Sequence, residues 1–261
     1  IVMNLGLKEK VIIVTGGAKG IGEGISESLA LESAIVAIVG RNEADNLRCI
    51  EKIQATGGQA FSFVAELSKP EECQQVVDQV FAMFGKIDGL VNNAGINDGV
   101  GLASGNYEKF MASLHANLIH YYLMAQACLP HLIKSKGAIV NIGSKTAETG
   151  QGNTSAYAAS NGGRNALTRE WAVELLPYEI RVNSVIVAEC YTPMYDKWIK
   201  TLENPEEKLK SITDKIPLGN RMTTQEELGA MVAFLVSKKS SHTTGQLIHV
   251  DGGYVHLDRA I

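Results

Sequence analysis

Val11-Ile12-Ile13-Val14-Thr15-Gly16-Gly17-Ala18-Lys19-Gly20-Ile21-Gly22 decides the architecture. Four β-branched aliphatic residues make Val11–Val14 a buried strand. The glycines come next, and Ile21–Leu31 then reads as a helix with Ile21, Ile25 and Leu29 on one face. Gly16 permits a tight turn, while Gly20 and Gly22 let another backbone or a ligand come close. A strand, a glycine turn and a helix N-terminus together form a cradle for a pyrophosphate. The free N–H groups of the first helical turn and its positive potential both favour an anion there.

The same alternation runs outward along the chain. Strands are expected at Ile35–Val39, Ala60–Val64, Leu90–Asn92, Ala138–Ile142, Arg181–Val187 and Gln246–Val250. Helices are expected at Asn46–Thr56, Glu71–Phe84, Ser155–Pro177 and Thr224–Val236. A long helix over Tyr107–Ser135 is predicted to kink or divide at Pro130. Strands alternating with helices imply a single Rossmann-type α/β domain spanning residues 1–261. Its doubly wound sheet of seven parallel strands would carry helices on both faces and ligands beyond the strands' carboxyl ends.

Composition excludes several classes. Of 261 residues, 45% are hydrophobic and 20% charged, an ordinary globular balance. A net charge of -4 and a pI near 5.9 give no footprint for nucleic acid or an anionic membrane. Aliphatic runs such as Ala34–Val39 are strand-sized. The N-terminus lacks a signal-peptide layout, and Ile1 and Val2 before Met3 read as an expression remnant. Cys49, Cys73, Cys128 and Cys190 fit no metal motif or disulfide framework, so reduced thiols, a cytoplasmic location and no metal are expected.

The second strand ends at Val39-Gly40-Arg41-Asn42. A carboxylate here would hold the ribose hydroxyls of NAD and repel the extra phosphate of NADP. Gly40 offers none, and Arg41 with Lys19 could clamp a 2′-phosphate. NADP(H) is therefore favoured and NAD(H) remains open.

Further on stand Asn92-Asn93-Ala94-Gly95, Asn117, Ser144, Tyr157 thirteen residues later, Thr192-Pro193 and Asp251-Gly252-Gly253. With the glycine turn, this pattern resembles the short-chain dehydrogenase/reductase family over essentially the whole chain. Val91–Gly99, Asn117–Tyr122, Ser144–Ala147, Thr149–Ser155 and Asp251–Ala260 resemble its L-fucose dehydrogenase branch, which oxidises a sugar hemiacetal to a lactone. The resemblance implies hydride transfer between a nicotinamide and an alcohol or carbonyl carbon, often in a homotetramer. It implies a cofactor site at Gly16, Lys19, Gly20, Ile21, Gly22, Arg41, Glu66, Leu67, Asn93, Ala94, Gly95, Tyr157, Asn161, Val187 and Thr192. It makes Tyr157 the proton acceptor, Ser144 the group that orients the reacting oxygen, and Asn117 the holder of a water.

One position departs from the family. Four residues after Tyr157, where the family has a lysine, this chain has Asn161. Free tyrosine has a pKa of about 10, too high for a good base near neutrality. A cation within about 4–6 Å typically lowers such a pKa by about 1–3 units. Asn161 can hydrogen-bond a ribose hydroxyl but carries no charge. Three explanations stand side by side: a substitution, a feeble or cofactor-binding-only protein, or a surrogate cation, with Lys145 nearest in sequence. Asn161→Lys is expected to raise turnover at least about tenfold. A second departure is Val187-Ala188, where the family has Pro-Gly.

Substrate is expected among the loops after strands four to six. Asn97, Glu148, Gln151, Thr154, Glu189 and Trp198 suit a polyol there, as much as they suit a solvated loop. Tyr191–Ile212 reads as a small helical lid, and His256–Ile261 as a tail that reaches a neighbouring subunit or frays. A small-molecule substrate is the expected partner. The leading reading is a dehydrogenase of an L-fucose-like aldose. A reductase of a keto-acid or steroid-like carbonyl and a weak cofactor-binding homologue are the alternatives.

Overall fold

The computed structural model describes residues 4–257. Ile1, Val2 and the tail beyond Leu257 lie outside them. The strands are β1 (Val11–Thr15), β2 (Ile35–Gly40), β3 (Gln59–Val64), β4 (Gly89–Asn92), β5 (Ala138–Ser144), β6 (Arg181–Val187) and β7 (Leu247–Val250). They form one sheet in the order β3-β2-β1-β4-β5-β6-β7, parallel throughout. The doubly wound α/β domain expected from the sequence is what forms.

Alternation along each strand feeds two cores. Ile12 and Val14 enter one hydrophobic cluster, and Val11 and Ile13 enter the other. That is why β1 is apolar at successive positions: both of its faces are covered. Helices α1 (Gly20–Leu31), α2 (Glu43–Ala55) and α9 (Gln225–Val236) cover the first face through Ile25, Ile53 and Val232. On the second face, α3 (Pro70–Phe84), α5 (His120–Ser135) and α6 (Ser155–Glu174) contribute Val76, Tyr121 and Trp171. Strand order reverses between β1 and β4, which opens the ligand crevice above their carboxyl ends.

One expectation is corrected. The long helix is interrupted at a π-helical turn, His115–Ile119, between α4 (Tyr107–Leu114) and α5. Pro130 lies inside an unbroken α5. The residue one turn before it, Gln126, is exposed, so the carbonyl freed by the missing N–H is open to water. The π turn carries Asn117, which is fully buried and whose side chain is held by backbone groups on two sides. The Tyr191–Ile212 stretch is two helices, α7 (Pro193–Ile199) and α8 (Pro205–Thr213), each opened by a proline in its first turn. No helix among the described residues is long and apolar enough to cross a membrane.

Candidate functional site

The glycine turn is built for close contact. Gly16 has φ +62, and a Cβ on Gly22 would lie 2.0 Å from the Gly16 carbonyl. Gly20 has φ +55, and a Cβ there would come within 3.2 Å of Thr192. Thr192 caps α7, its hydroxyl accepting from the Tyr195 N–H at 3.2 Å. The start of α7 is thereby seated on the phosphate loop. Lys19 stands at the N-cap of α1 without a side-chain cap, and Ile21 follows Gly20 in the first turn of that helix, whose first N–H groups have no intrahelical partner. Asn93 Nδ2 ties the Asn93-Ala94-Gly95 loop to the carbonyls of Thr15 and Gly16 at 3.0 and 3.2 Å. Thr15, missed in the sequence, receives the N–H groups of Asn93 and Ala94 on its hydroxyl. A cleft with no room for a Cβ at Gly22 and with unused helix N–H groups fits the pyrophosphate of a dinucleotide.

The expected 2′-phosphate clamp has internal partners. Lys19 pairs with Asp45 at 2.5 Å, and Arg41 with Glu66 at 3.4 Å. Burial raises the Glu66 carboxyl, but hydrogen bonds from Ser68 and Arg41 outweigh it and leave it below the usual range. Leu67 is buried in the core beside it. Gly40 is constrained by packing, since a Cβ would meet Asn46 Oδ1 at 2.6 Å.

Ser144 ends β5 and Tyr157 lies in the first turn of α6, both at the carboxyl edge of the sheet. Ser144 Oγ accepts from Thr146 N at 3.3 Å and Thr146 Oγ1 at 3.1 Å. Its own proton is not used in either bond. Tyr157 is half-buried, and no described residue hydrogen-bonds its hydroxyl.

Asn161 is fully buried and turned inward. Its Nδ2 donates to the Tyr157 carbonyl at 2.9 Å, and its Oδ1 accepts from Arg164 Nη1 at 3.0 Å. Arg164 also donates from Nε to the Asn117 carbonyl at 2.7 Å and from Nη1 to the Ile142 carbonyl at 3.1 Å. A protein donor therefore occupies the backbone carbonyl of the residue expected to hold a water. The Asn117 side chain accepts from Ile96 N at 2.7 Å and donates to the Ser113 carbonyl at 3.0 Å. Arg164 escaped the sequence reading. Its signal was its place on the face of Tyr157 and Asn161, at positions i, i+4 and i+7.

Lys145, the nearest cation in sequence, faces elsewhere. Its ammonium bonds Glu189 and lies 4.2 Å from the centre of the Tyr254 ring. Tyr195 also bonds Glu189; burial, then that carboxylate, pushes its phenol upward. Trp198 packs edge-on against Tyr195 at 5.1 Å. Glu148 bonds His249 at 3.0 Å and lies 3.5 Å from His256, so His256 folds onto its own chain. These three bring ligand atoms within 4.8 Å of one another, a cluster no sequence motif marked. Thr154 is buried at the start of α6, whereas Gln151 and Asn97 are exposed. Val187 closes β6 in the core.

Comparison with known proteins agrees with this geometry. Residues 16–255 match the family described as enoyl-(acyl carrier protein) reductase. The 3-oxoacyl-[acyl-carrier-protein] reductase FabG of Thermotoga maritima is 35% identical over 95% of this chain and 99% of its own. An L-fucose dehydrogenase of Bos taurus is 31% identical over 94% and 88%. Among solved structures, the Cj0485 dehydrogenase superposes with a TM-score of 0.93 at 42% identity, covering 99% of each chain. An actinorhodin polyketide ketoreductase solved with NADPH gives 0.89 at 27%, over 95% and 98%. A glycine cradle, a serine–tyrosine pair and matches over nearly the full length make this chain a member of the short-chain dehydrogenase/reductase family of NAD(P)-dependent oxidoreductases.

Proposed function

We propose that this chain is a dehydrogenase of an L-fucose-like aldose, oxidising the anomeric hydroxyl to a lactone with NADP(H) preferred over NAD(H). The observation that carries the reading is the Lys145–Glu189 pair beside Ser144, with Tyr195 bonded to the same carboxylate. Buried charged and hydroxyl groups suit a polyol and penalise an apolar chain. Two relatives named L-fucose dehydrogenase, from Bos taurus and Rattus norvegicus, are each 31% identical. In this reading Ser144 Oγ donates to the reacting oxygen and Tyr157 takes the hydroxyl proton as the carbon gives up its hydride. The nicotinamide ring, when bound, supplies the hydride acceptor. Gly16, Gly20, Gly22 and Asn93 would hold the cofactor, with Arg41 and Lys19 against its 2′-phosphate. Helices α7 and α8 would close over the substrate, and the enzyme would work as a homotetramer.

Reduction of a keto-acid or similar carbonyl is the second reading, favoured by the 35% identity to a 3-oxoacyl reductase. An absorbance assay separates the two: L-fucose, D-arabinose and L-galactose in one direction, a 3-oxoacyl thioester and a steroid ketone in the other. Sugar oxidation that Tyr157→Phe abolishes supports the proposal. Turnover of carbonyl compounds alone establishes the second reading. Tight cofactor binding with no turnover at any pH overturns both.

A further inference from the structure

We propose that Arg164 is a positioning residue whose buried charge stabilises the Tyr157 phenolate, in place of a cation at position 161. The inference rests on Tyr157 being the base. It starts from an imbalance of charge. Arg164 is 3% exposed, and no described Asp or Glu pairs with it. Its hydrogen bonds go to neutral oxygens, on Asn117, Ile142 and Asn161. Nη2 is buried without a partner, against the Asn93-Ala94-Gly95 loop: a Cβ on Gly95 would lie 3.0 Å from it. An unpaired buried guanidinium is costly, and an anion beside it removes the cost.

The surroundings leave one candidate for that anion, since Glu66, which faces His120, is already held by Arg41 and Ser68. Tyr121 stacks under the guanidinium at 4.2 Å, but its hydroxyl donates to the Ile142 carbonyl and burial pushes it up to about 12. His120 is pushed down to about 4, first by burial and then by Arg164, and so stays neutral. From the loops after β5 and β6, Lys145 and Glu189 neutralise each other. Glu148 is engaged by His249 and His256. On α4, Glu108 and Lys109 are exposed, and His115 on the π turn is half-buried. Arg181 sits at the opposite end of β6, bonded to the Leu235 carbonyl. Tyr157 remains: half-buried, its hydroxyl unbonded, its ring centre 6.0 Å from the guanidinium carbon. A buried cation on that side of the ring favours the phenolate over the phenol. Asn161 supports the device by turning its oxygen to Nη1.

The test titrates the Tyr157 phenolate of the full chain by ultraviolet difference absorbance, with Tyr157→Phe subtracted. The wild-type midpoint is compared with that of free tyrosine. Arg164→Met is expected to raise that value by at least about one unit, and Arg164→Lys to leave it nearly unchanged. On whichever substrate turns over, the acid limb of kcat/KM is expected to move in the same order. A wild-type phenolate at or above the free value overturns the proposal, as does a folded Arg164→Met whose titration does not move. Should Arg164→Met not fold, the wild-type value decides. The titration needs no substrate, so failure of the sugar reading leaves this test intact.

Discussion

Asn161 Oδ1 accepts a hydrogen bond from Arg164 Nη1 at 3.0 Å. This contact changes what a lysine at 161 would do. Asn161→Lys removes that bond and sets an ammonium beside a guanidinium in a site with no exposure. Like charges there cost roughly 1–3 kcal/mol of stability. With Arg164 already charged, the gain in turnover from Asn161→Lys is expected to stay under about tenfold, less than the sequence alone implied. Asn161→Lys combined with Arg164→Met should be more stable and faster than Asn161→Lys alone. Urea denaturation and steady-state kcat check both, and a single variant as stable as wild type refutes the clash.

How far such a site can be read in advance depends on how local its causes are. The β1–turn–α1 unit was legible because a β-branched run, a glycine turn and an amphipathic face are neighbours in sequence. Ser144 and Tyr157 were legible by their spacing within a family pattern. Arg164 was not, because its role needs the π turn that presents the Asn117 carbonyl and the inward turn of Asn161. The placement of the helix break followed the same logic. Pro130 signals a break, but its lost hydrogen bond falls on the exposed face, whereas one of the bonds that hold Asn117 comes from Ile96, distant in sequence. The split between α7 and α8 was foreshadowed by Asn204-Pro205, a local start signal.

Gly22 tests the cradle. A methyl group at 22 would sit 2.0 Å from the Gly16 carbonyl and 2.7 Å from Asn93 Nδ2. Neither neighbour is a free-swinging side-chain end, because Asn93 is tied to Thr15 and Gly16. Gly22→Ala is expected to cost about 2 kcal/mol of stability and to weaken NADPH binding at least about tenfold. Denaturation and fluorescence titration measure the two effects. Unchanged affinity would show that the turn does not hold the pyrophosphate.

Arg41 tests cofactor choice. It is exposed and its pairing with Glu66 is long, at 3.4 Å. A 2′-phosphate would offer it a stronger, charge-assisted partner. Arg41→Ala should weaken NADPH about tenfold and NADH less than about twofold, whereas Glu66→Gln should tighten NADPH. Equal losses for both cofactors would remove the basis for an NADP(H) preference.

The four cysteines are free and buried. Burial, the largest cause in each case, pushes Cys49 up to about 12, Cys73 to about 11 and Cys190 to about 12, and raises Cys128 as well. Since the thiolate is the nucleophile, native protein near neutral pH should resist Ellman's reagent, and denatured protein should release all four thiols. Prompt labelling of folded protein would contradict the burial.

The N-terminus of α9 gives a pH dependence with a defined sign. Thr224 Oγ1 accepts from Glu227 N at 3.2 Å, and Glu227 Oε2 accepts from Thr224 N at 2.8 Å. Arg221 donates to the same carboxylate at 2.6 and 3.0 Å, and this contact, first among the causes, lowers Glu227 from 4.5 to about 2. A lowered folded-state pKa contributes stability that is complete above 4.5 and fades as the pH falls toward 2. The carboxylate is 41% exposed, so solvent screens most of the ion pair and the cap supplies much of the effect. Glu227→Ala should therefore cost about 1 kcal/mol at neutral pH. It should cost progressively less on acidification, as the wild type loses the charge that the variant lacks. Helix α9 packs on α1, where a Cβ on Gly229 would strike the Ser28 hydroxyl, so loosening its first turn should also weaken the phosphate cradle. Denaturation from neutral to acidic pH reads the first effect and NADPH titration at neutral pH the second. A stability gap that does not narrow with acid would refute the charge contribution.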